Sequence, residues 1–298
     1  MTGRMARWIT ALSKSKKRHS GWIVFLSGLF VAPLFLLVLA YTQGRSDTTY
    51  IDSLCAEQDC LCGDWDTRST GEYVIENNVW NKGNINKYEQ CVYIEQGHKG
   101  VDAGWAWNWP GLRFDVVAYP DIIYGKKPWF PSSTTPLLPN RIAELDCLQA
   151  DFEVVQLGSG KGNLSFDLWV TENRSATPES ITREIMIWLS HSGFRPAGSR
   201  VDSLNLDGYD IEVWQRENHS VTNGLEWTFF AFVYQSDLTE GPIDLMDYLD
   251  FLVDSGYISA DEFLAGVDLG NEIVSGFGQT LLRNYEIGPC DQPVADSD

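Results

Sequence analysis

Residues 184–188 (EIMIW) alternate polar or polarisable side chains with aliphatic ones. Successive side chains of an extended strand point to opposite faces, so Glu184, Met186 and Trp188 would share one face while the two isoleucines face a core. A carboxylate beside an indole suits a site that handles sugars. The acid can transfer a proton or attack a carbon, and the aromatic ring can stack on the apolar face of a pyranose.

A second carboxylate stands in a similar pattern in residues 166–170 (FDLWV). Alternation places Asp167 and Trp169 on one face of this second strand. If the two strands are neighbours in a sheet, Asp167 would lie beside Glu184. The same alternation also fits two ordinary amphipathic strands whose acidic residues face solvent.

Several other chemistries lack the residues that they require. The chain has no G-x-S-x-G motif, which argues against a serine hydrolase of that type. Residues 158–162 (GSGKG) are not a phosphate loop, because Val155 stands where the first glycine is needed, and we expect a hairpin turn there. His98, His191 and His219 stand in polar surroundings near turns and are expected at the surface. We expect no metal and no cofactor.

Apolar runs of period two predict an all-β domain. The Asp207-Gly208 pair predicts a hairpin turn, and a helix is predicted to open at Pro242 and to end at the Ser255-Gly256 pair. Many strands with one short helix are typical of a two-sheet jelly-roll sandwich. The predicted strands are residues 72–75, 91–94, 112–118, 152–156, 164–170, 184–189, 211–214 and 227–234.

Charge is distributed unevenly along the 298 residues. The net charge is −19, yet residues 1–21 contain six basic residues and no acidic one. The acidic body would repel phosphates, which argues against nucleic acid as a partner. Residues 21–42 are apolar enough and long enough to span a bilayer, which predicts a transmembrane signal anchor behind a basic cytoplasmic tail, residues 1–20. A cleaved signal peptide is the alternative.

All six cysteines follow this segment, which favours up to three disulfides in a domain outside the cytoplasm. The expected location is therefore a membrane-anchored domain, or a secreted one if the N-terminal segment is cleaved. We expect a polar stalk at residues 43–58, one domain at residues 59–290 and an acidic tail at residues 291–298.

The EIMIW segment resembles the nucleophile strand of glycoside hydrolase family 12, whose pattern is E-[LI]-M-[IV]-W. This family comprises small jelly-roll endoglucanases and xyloglucanases, and the chain is closest in pattern to its thermophilic bacterial and archaeal members. Five further segments follow the family order. They are residues 77–80 (NNVW), 105–109 (WAWNW), 119–129 (YPDIIYGKKPW), 166–169 (FDLW) and 270–272 (GNE).

The resemblance implies roles for individual residues. Glu184 would be the nucleophile, Glu272 the acid/base, and Asp167 a supporting carboxylate that hydrogen-bonds Glu184. It also implies a disulfide between Cys62 and Cys91. The other four cysteines could pair as Cys55–Cys60 and Cys147–Cys290, but the sequence does not decide their pairing. The implied substrate-binding residues are Asn78, Trp80, Trp107, Trp129, Met186 and Trp188.

Alternatives remain for some of these positions. The face shared by Trp105, Trp107 and Trp109 would serve equally well as core, and Trp129 as the anchor of a loop. Asn271 departs from the threonine that usually precedes the family's acid/base, which bears on the leaving-group side of the cleft.

The function that the resemblance implies is a retaining, endo-acting hydrolase of β-1,4-glucosidic bonds in β-glucans, working as a monomer. The alternative is a non-catalytic, lectin-like carbohydrate-binding module on the cell surface, which would need neither Glu184 nor Glu272.

Overall fold

The computed structural model describes residues 48–111, 114–220 and 224–290, which contain fourteen strands and two α-helices. The helices are α1 (Thr48–Glu57) and α2 (Met246–Asp254). The strands are β1 (Thr67–Thr70), β2 (Tyr73–Glu76), β3 (Glu89–Gln96), β4 (Val101–Trp109), β5 (Asp121–Gly125), β6 (Asn140–Arg141), β7 (Gln149–Thr171), β8 (Ile181–Ser192), β9 (Ser199–Leu206), β10 (Tyr209–Ser220), β11 (Glu226–Tyr234), β12 (Ile243–Asp244), β13 (Phe263–Gly270) and β14 (Ile273–Gly288).

Strand β7 links two layers of strands. Its first part pairs with β14, which continues through β4 to β3. Its second part lies between β13 and β8, in a layer ordered β1-β2-β5-β13-β7-β8-β11-β10-β9. The prediction of an all-β fold is therefore confirmed, and the single strand β7 fixes how the two layers sit relative to each other.

The main core lies between the two layers. Ile185, Ile187 and Leu189 on β8 are fully buried in it, as the alternation of residues 184–189 predicts. Tyr248 and Leu249 of α2 pack against the same core. Each such large apolar side chain stabilises the fold by roughly 1.5–3 kcal/mol. Because these side chains occupy the inner face of the layer, Asp167 of β7 and Glu184 of β8 lie on its outer face.

Two turn predictions have opposite outcomes. Asp207 and Gly208 have positive φ and join β9 to β10, so the predicted hairpin is confirmed. The hairpin predicted at residues 158–162 is wrong, because these residues continue β7 without a break. The glycines are there because β14 lies very close: a Cβ on Gly160 would sit 2.2 Å from the carbonyl oxygen of Ser275.

Two predicted elements differ from the structure. Ala118 makes only an isolated bridge to Ile273 where a strand over residues 112–118 was expected, and residues 112–113 lie outside the described part. The late helix begins at Met246 rather than Pro242, since Ile243 and Asp244 pair with β7 as β12. Its end is as predicted, with Gly256 at φ +74°.

The expectation of one short helix is also wrong, because α1 is a second. It occupies ten residues of the stretch predicted as a stalk, and Leu54 packs against Tyr93 and Ala106. The Cys55–Cys60 disulfide closes its C-terminal end. This part of the stretch is therefore attached to the sheet.

The Cys62–Cys91 disulfide that the resemblance implies is present, and the other four cysteines pair as Cys55–Cys60 and Cys147–Cys290. The predicted cytoplasmic tail (1–20), transmembrane segment (21–42) and acidic tail (291–298) lie outside the described residues. Among the described residues, neither helix has the length and apolar character needed to cross a bilayer.

The close approach of β7 and β14 predicts that Gly160→Ala destabilises the domain by about 1–3 kcal/mol, since the new methyl group forces the strands apart. Urea unfolding would measure the loss. Gly288→Ala is the matched control, because a Cβ there meets no atom within 4 Å, and it should change stability by less than about 0.5 kcal/mol. Equal effects of the two substitutions would contradict this account.

Candidate active site

Glu184 lies on the face of β8 that points away from the core. It stands opposite Trp169 of β7 and Phe229 of β11, and its side chain is 12% exposed. The indole Nε1 of Trp227 donates a hydrogen bond of 2.6 Å to Oε2 of Glu184. Burial raises the pKa of Glu184 to about 7, while the Trp227 hydrogen bond opposes the rise. The carboxyl group can therefore change its charge near neutral pH.

Glu272 lies in the two-residue turn between β13 and β14 and is held by Asn163 of β7. The Asn163 amide donates to Oε2 of Glu272, and the Glu272 backbone N–H donates to Oδ1 of Asn163 at 3.0 Å. Burial and the charge of Glu184 raise the pKa of Glu272 to about 8, and the Asn163 hydrogen bond opposes this.

Asn271 ties this turn to both layers. Its Nδ2 donates to the carbonyl of Asn163 at 2.6 Å, and its Oδ1 accepts from Trp105 Nε1 and Thr280 Oγ1, each at 2.7 Å. Asn271 makes these bonds from two separate atoms, whereas a threonine hydroxyl would have to make all three from one. The departure from the family pattern thus adds a fully bonded support directly before Glu272.

The two glutamates are brought to one site although 87 residues separate them in the chain. The charge of Glu184 acts on the pKa of Glu272, and the two carboxyl groups differ in acidity. Because the negative charge of Glu184 is one cause of the raised pKa of Glu272, ionisation of Glu184 favours the protonated form of Glu272. A site with one carboxylate and one carboxylic acid can combine nucleophilic attack with proton donation.

Asp167 lies next to Glu184, as the alternation predicts, because β7 and β8 pair with Asp167 opposite Met186. Burial, and then the charges of Glu184 and Asp268, raise the pKa of Asp167 well above its usual range. The expected hydrogen bond to Glu184 is absent from the described residues, and Oδ1 of Asp167 has no partner. The interaction between the two groups in this structure is therefore the effect of the Glu184 charge on the pKa of Asp167.

Behind these residues lies a buried ionic cluster that sequence reasoning missed. The Lys127 ammonium lies 2.6 Å from Asp121 Oδ2, 2.9 Å from Glu76 Oε2 and 3.7 Å from Asp268 Oδ2. Asp268 in turn stands opposite Asp167 in the β13–β7 pairing. Burial alone would lower the pKa of Lys127, but the surrounding carboxylates, Asp121 foremost, outweigh this effect. The pKa is therefore well above its usual value, and the lysine stays charged.

Three indoles form a cluster beside Glu184. The Trp129 ring packs edge-on against Trp169 at 5.0 Å and lies 6.4 Å from Trp227. Trp129 is half exposed, whereas Trp169 and Trp227 are buried. Trp129, which is predicted to bind substrate, thus presents an exposed aromatic surface. It lies beside Trp227, the hydrogen-bond donor to Glu184.

Trp107 and Glu272 line a cavity of about 230 Å³ together with Asn163, His191 and Phe277. Trp105 and Trp109 from the same strand are almost fully buried. The face shared by Trp105, Trp107 and Trp109 therefore contributes Trp105 and Trp109 to the core and Trp107 to the cavity.

The remaining predicted substrate-binding residues are less open. Met186 and Trp188 are 2% and 1% exposed, and Phe194 stacks on the Trp188 ring at 5.1 Å. Asn78 is buried, while Trp80 is 37% exposed. Within the described residues, the side chains of Asn78 and Trp80 form no hydrogen bond with either glutamate, so their substrate roles stay predictions.

His219 is not the surface residue that its sequence surroundings suggested. Its Nε2 lies 3.9 Å from Oε2 of Glu184, and its side chain is 19% exposed.

Two residues of the buried ionic cluster, Lys127 and Asp121, lie inside the 119–129 segment that carries part of the family resemblance. Trp227 and Asn163 had no sequence signal, because only the strand pairing brings them to the glutamates.

A jelly-roll sandwich that carries two coupled carboxyl groups beside a cluster of indoles is the arrangement of a glycoside hydrolase. The model of glycosyl hydrolase family 12 matches residues 71–287 of this chain. The chain belongs to this family, and it is a glycosidase.

Relatives and solved structures agree with this assignment. The chain is 26% identical to endoglucanase S of Pectobacterium parmentieri over 219 residues, 72% of this chain and 81% of the relative. It is 26% identical to xyloglucan-specific endo-beta-1,4-glucanase A of Emericella nidulans over 234 residues, 76% and 90% of the two chains. The family 12 xyloglucanase from Bacillus licheniformis is similar in structure, with a TM-score of 0.71, 26% identity and coverage of 77% of this chain and 99% of that one.

The buried ionic cluster predicts that Lys127→Met destabilises the protein by about 3–5 kcal/mol, because carboxylates are left without a cation in the core. Urea unfolding at pH 7 would measure it, and the loss should shrink at lower pH as the carboxylates are protonated. Arg200→Met is the control: it removes an exposed ion pair with Glu212 and should cost less than about 1 kcal/mol. A loss no larger than that of the control would contradict the cluster's role.

The raised pKa of Glu272 predicts a pH-dependent cost. The unfolded chain releases this proton near a pKa of about 4.3, whereas the folded protein keeps it until about pH 8, so the stability falls as the pH rises between these values. Glu272→Gln removes the cost. The variant should gain up to several kcal/mol over wild type at pH 8, at about 1.36 kcal/mol per unit of pKa difference, and almost nothing at pH 4.

Unfolding midpoints of wild type and Glu272→Gln at the two pH values would test this. Glu95→Gln, at an exposed position, is the control and should show the wild-type pH dependence. A stabilisation by Glu272→Gln that is equal at pH 4 and pH 8 would show that burial of the charge is not its cause.

Proposed function

We propose that the protein is a retaining endo-β-1,4-glucanase in which Glu184 is the nucleophile and Glu272 the acid/base. The observation that carries this proposal is the coupling of the two carboxyl groups, with pKa values raised to about 7 for Glu184 and about 8 for Glu272. The group that ionises first suits attack, and the group that keeps its proton longer suits donation to a leaving oxygen.

In the first step, a carboxylate oxygen of Glu184 attacks the anomeric carbon and forms a glycosyl ester, while the glycosidic bond breaks. Glu272 gives its proton to the departing oxygen, so that the leaving chain departs as an alcohol. Asn163 holds the Glu272 carboxyl in place through its two hydrogen bonds.

In the second step, Glu272 takes a proton from water, and the resulting hydroxide displaces Glu184 from the anomeric carbon. The change of role from acid to base follows from the ester itself. The charge of Glu184 is one cause of the raised pKa of Glu272, and esterification removes that charge. Two displacements at the same carbon restore the β configuration.

The substrate class is a β-glucan of the cellulose, mixed-linkage or xyloglucan type. Relatives are named as an endoglucanase and as xyloglucan-specific endo-beta-1,4-glucanases, which supports this range. The half-exposed Trp129 beside Glu184 and Trp107 beside Glu272 are suited to stack on glucosyl rings on either side of the cleavage point.

We also propose that the domain works outside the cytoplasm as a monomer. Three disulfides favour an oxidising compartment. Protease treatment of intact cells would test the location, since a domain inside the cytoplasm would be protected.

Substitution of the two glutamates tests the proposed roles. Glu184→Ala and Glu272→Ala should each lower kcat on carboxymethyl-cellulose, barley glucan and xyloglucan by at least about a thousandfold. On an aryl cellobioside with a good leaving group, azide should rescue Glu272→Ala to a β-azide, because the first step no longer needs an acid. Azide should convert Glu184→Ala to an α-azide, because the small anion attacks directly from the vacated side.

Product stereochemistry gives an independent measurement. An NMR spectrum taken early in the hydrolysis of a β-glucan should show the β-anomer first. An initial α-anomer, or near-wild-type activity in either alanine variant, would refute the roles assigned to Glu184 and Glu272. Binding of glucan by wild type without release of reducing ends would refute the hydrolase activity on these substrates.

A further inference from the structure

We propose that His219 is a positioning residue for the nucleophile: its neutral imidazole donates the Nε2 proton to Oε2 of Glu184, so that Oε1 is the oxygen that attacks. This inference rests on the role proposed for Glu184. In the structure His219 Nε2 lies 3.9 Å from that oxygen, in a position from which a small movement would form the hydrogen bond.

A β-bulge places His219 at this position. Trp214 and Arg216 of β10 pair with Ala231 and Phe229 of β11, so strict alternation would bring Asn218 opposite Trp227. The register shifts between Arg216 and His219, and Asn218 has φ +50°, so that His219 stands opposite Trp227 instead. Bulges are frequent beside active sites because they redirect one side chain.

Two donors then converge on one oxygen of the nucleophile. Trp227 Nε1 already donates to Oε2 of Glu184 at 2.6 Å, and His219 faces the same atom. Two neutral N–H groups stabilise the ionised carboxylate without placing a positive charge beside the cationic sugar of the transition state. A carboxylate bound twice at Oε2 leaves Oε1 free for the anomeric carbon.

The surroundings keep the imidazole neutral. The rings of Phe229 and Trp227 on β11 lie 5.1 Å and 6.3 Å from the His219 ring, Arg216 on β10 adds a positive charge, and Glu184 faces it from β8. Burial and then Arg216 lower the pKa of His219 to about 4. Nδ1 is buried without a partner, which suits the tautomer that carries its proton on Nε2.

The test compares His219→Phe, which fills the aromatic site without a donor, with His219→Gln, which supplies a neutral amide donor. His219→Phe should lower kcat about 10- to 100-fold with little change in KM, as expected for the loss of one hydrogen bond to a charged group. It should also raise the acid-limb pKa of the kcat/KM profile by about one unit, since the ionised nucleophile loses a donor. His219→Gln should keep most of the activity and the wild-type acid limb.

Each other outcome overturns the inference. Wild-type kinetics in His219→Phe would show that the donor is not used, and equal impairment of both variants would show that an amide donor cannot replace the imidazole. A purely structural role would lower the unfolding temperature without moving the acid limb. Should His219→Phe not fold, ¹⁵N NMR of the wild type decides, because an imidazolium at pH 6 contradicts a neutral donor.

Failure of this inference can be told apart from failure of the proposed function. If Glu184→Ala is inactive while His219→Phe behaves as wild type, the nucleophile stands and only the positioning role falls. If Glu184→Ala remains active, the proposed function falls first.

Discussion

The face that carries Glu184 and Asp167 depends on one buried cation. Lys127 lies within 4 Å of carboxylate oxygens of Glu76, Asp121 and Asp268, all of them buried, and Asp268 pairs with Asp167, which lies next to Glu184. Buried charges of one sign cannot be gathered without a counter-ion or bound protons. The lysine allows acidic side chains to come from β2, β5 and β13 into one layer, and the carboxyl groups that it does not neutralise hold their protons more tightly. Burial is the largest cause of the raised pKa values of Glu184, Glu272 and Asp167, and neighbouring carboxylates add to it for Glu272 and Asp167.

Strand β7 contacts both the ionic cluster and the two glutamates. Its C-terminal part holds Asp167 between Glu184 and Asp268, and Asn163 in its middle holds Glu272. The two glutamates belong to different parts of the chain, but both are held against this one strand. Their relative position is therefore set by backbone pairing, which is a stiffer constraint than a flexible loop supplies.

Sequence patterns predicted the parts of this structure that follow regular spacing. Alternation assigned Glu184 and Asp167 each to a face of its own strand, and the Asp207-Gly208 hairpin followed from turn chemistry. That the two strands are neighbours comes from the structure. The patterns failed where tertiary contact overrides local preference. The glycines of residues 158–162 resemble a turn but permit a close crossing of strands, and the bulge before His219 moves that residue to the face opposite to the one that alternation gives. Lys127 lies inside a segment that resembles the family, but its carboxylate partners cannot be predicted from the sequence, because the pairing of β2, β5 and β13 brings them together.

The glycine-rich crossing of β7 and β14 also bears on how this cleft can change during evolution. A Cβ on Gly158, Gly160 or Gly162 would lie 2.2–2.3 Å from backbone atoms of β14 or of the turn before it, and all three glycines line the cavity next to Glu272. No single substitution can add a side chain there without moving both strands. Selection for a different polysaccharide can therefore act on the side chains around the cavity, such as Trp107, His191 and Phe277, while the spacing of the β7 and β14 backbones stays fixed.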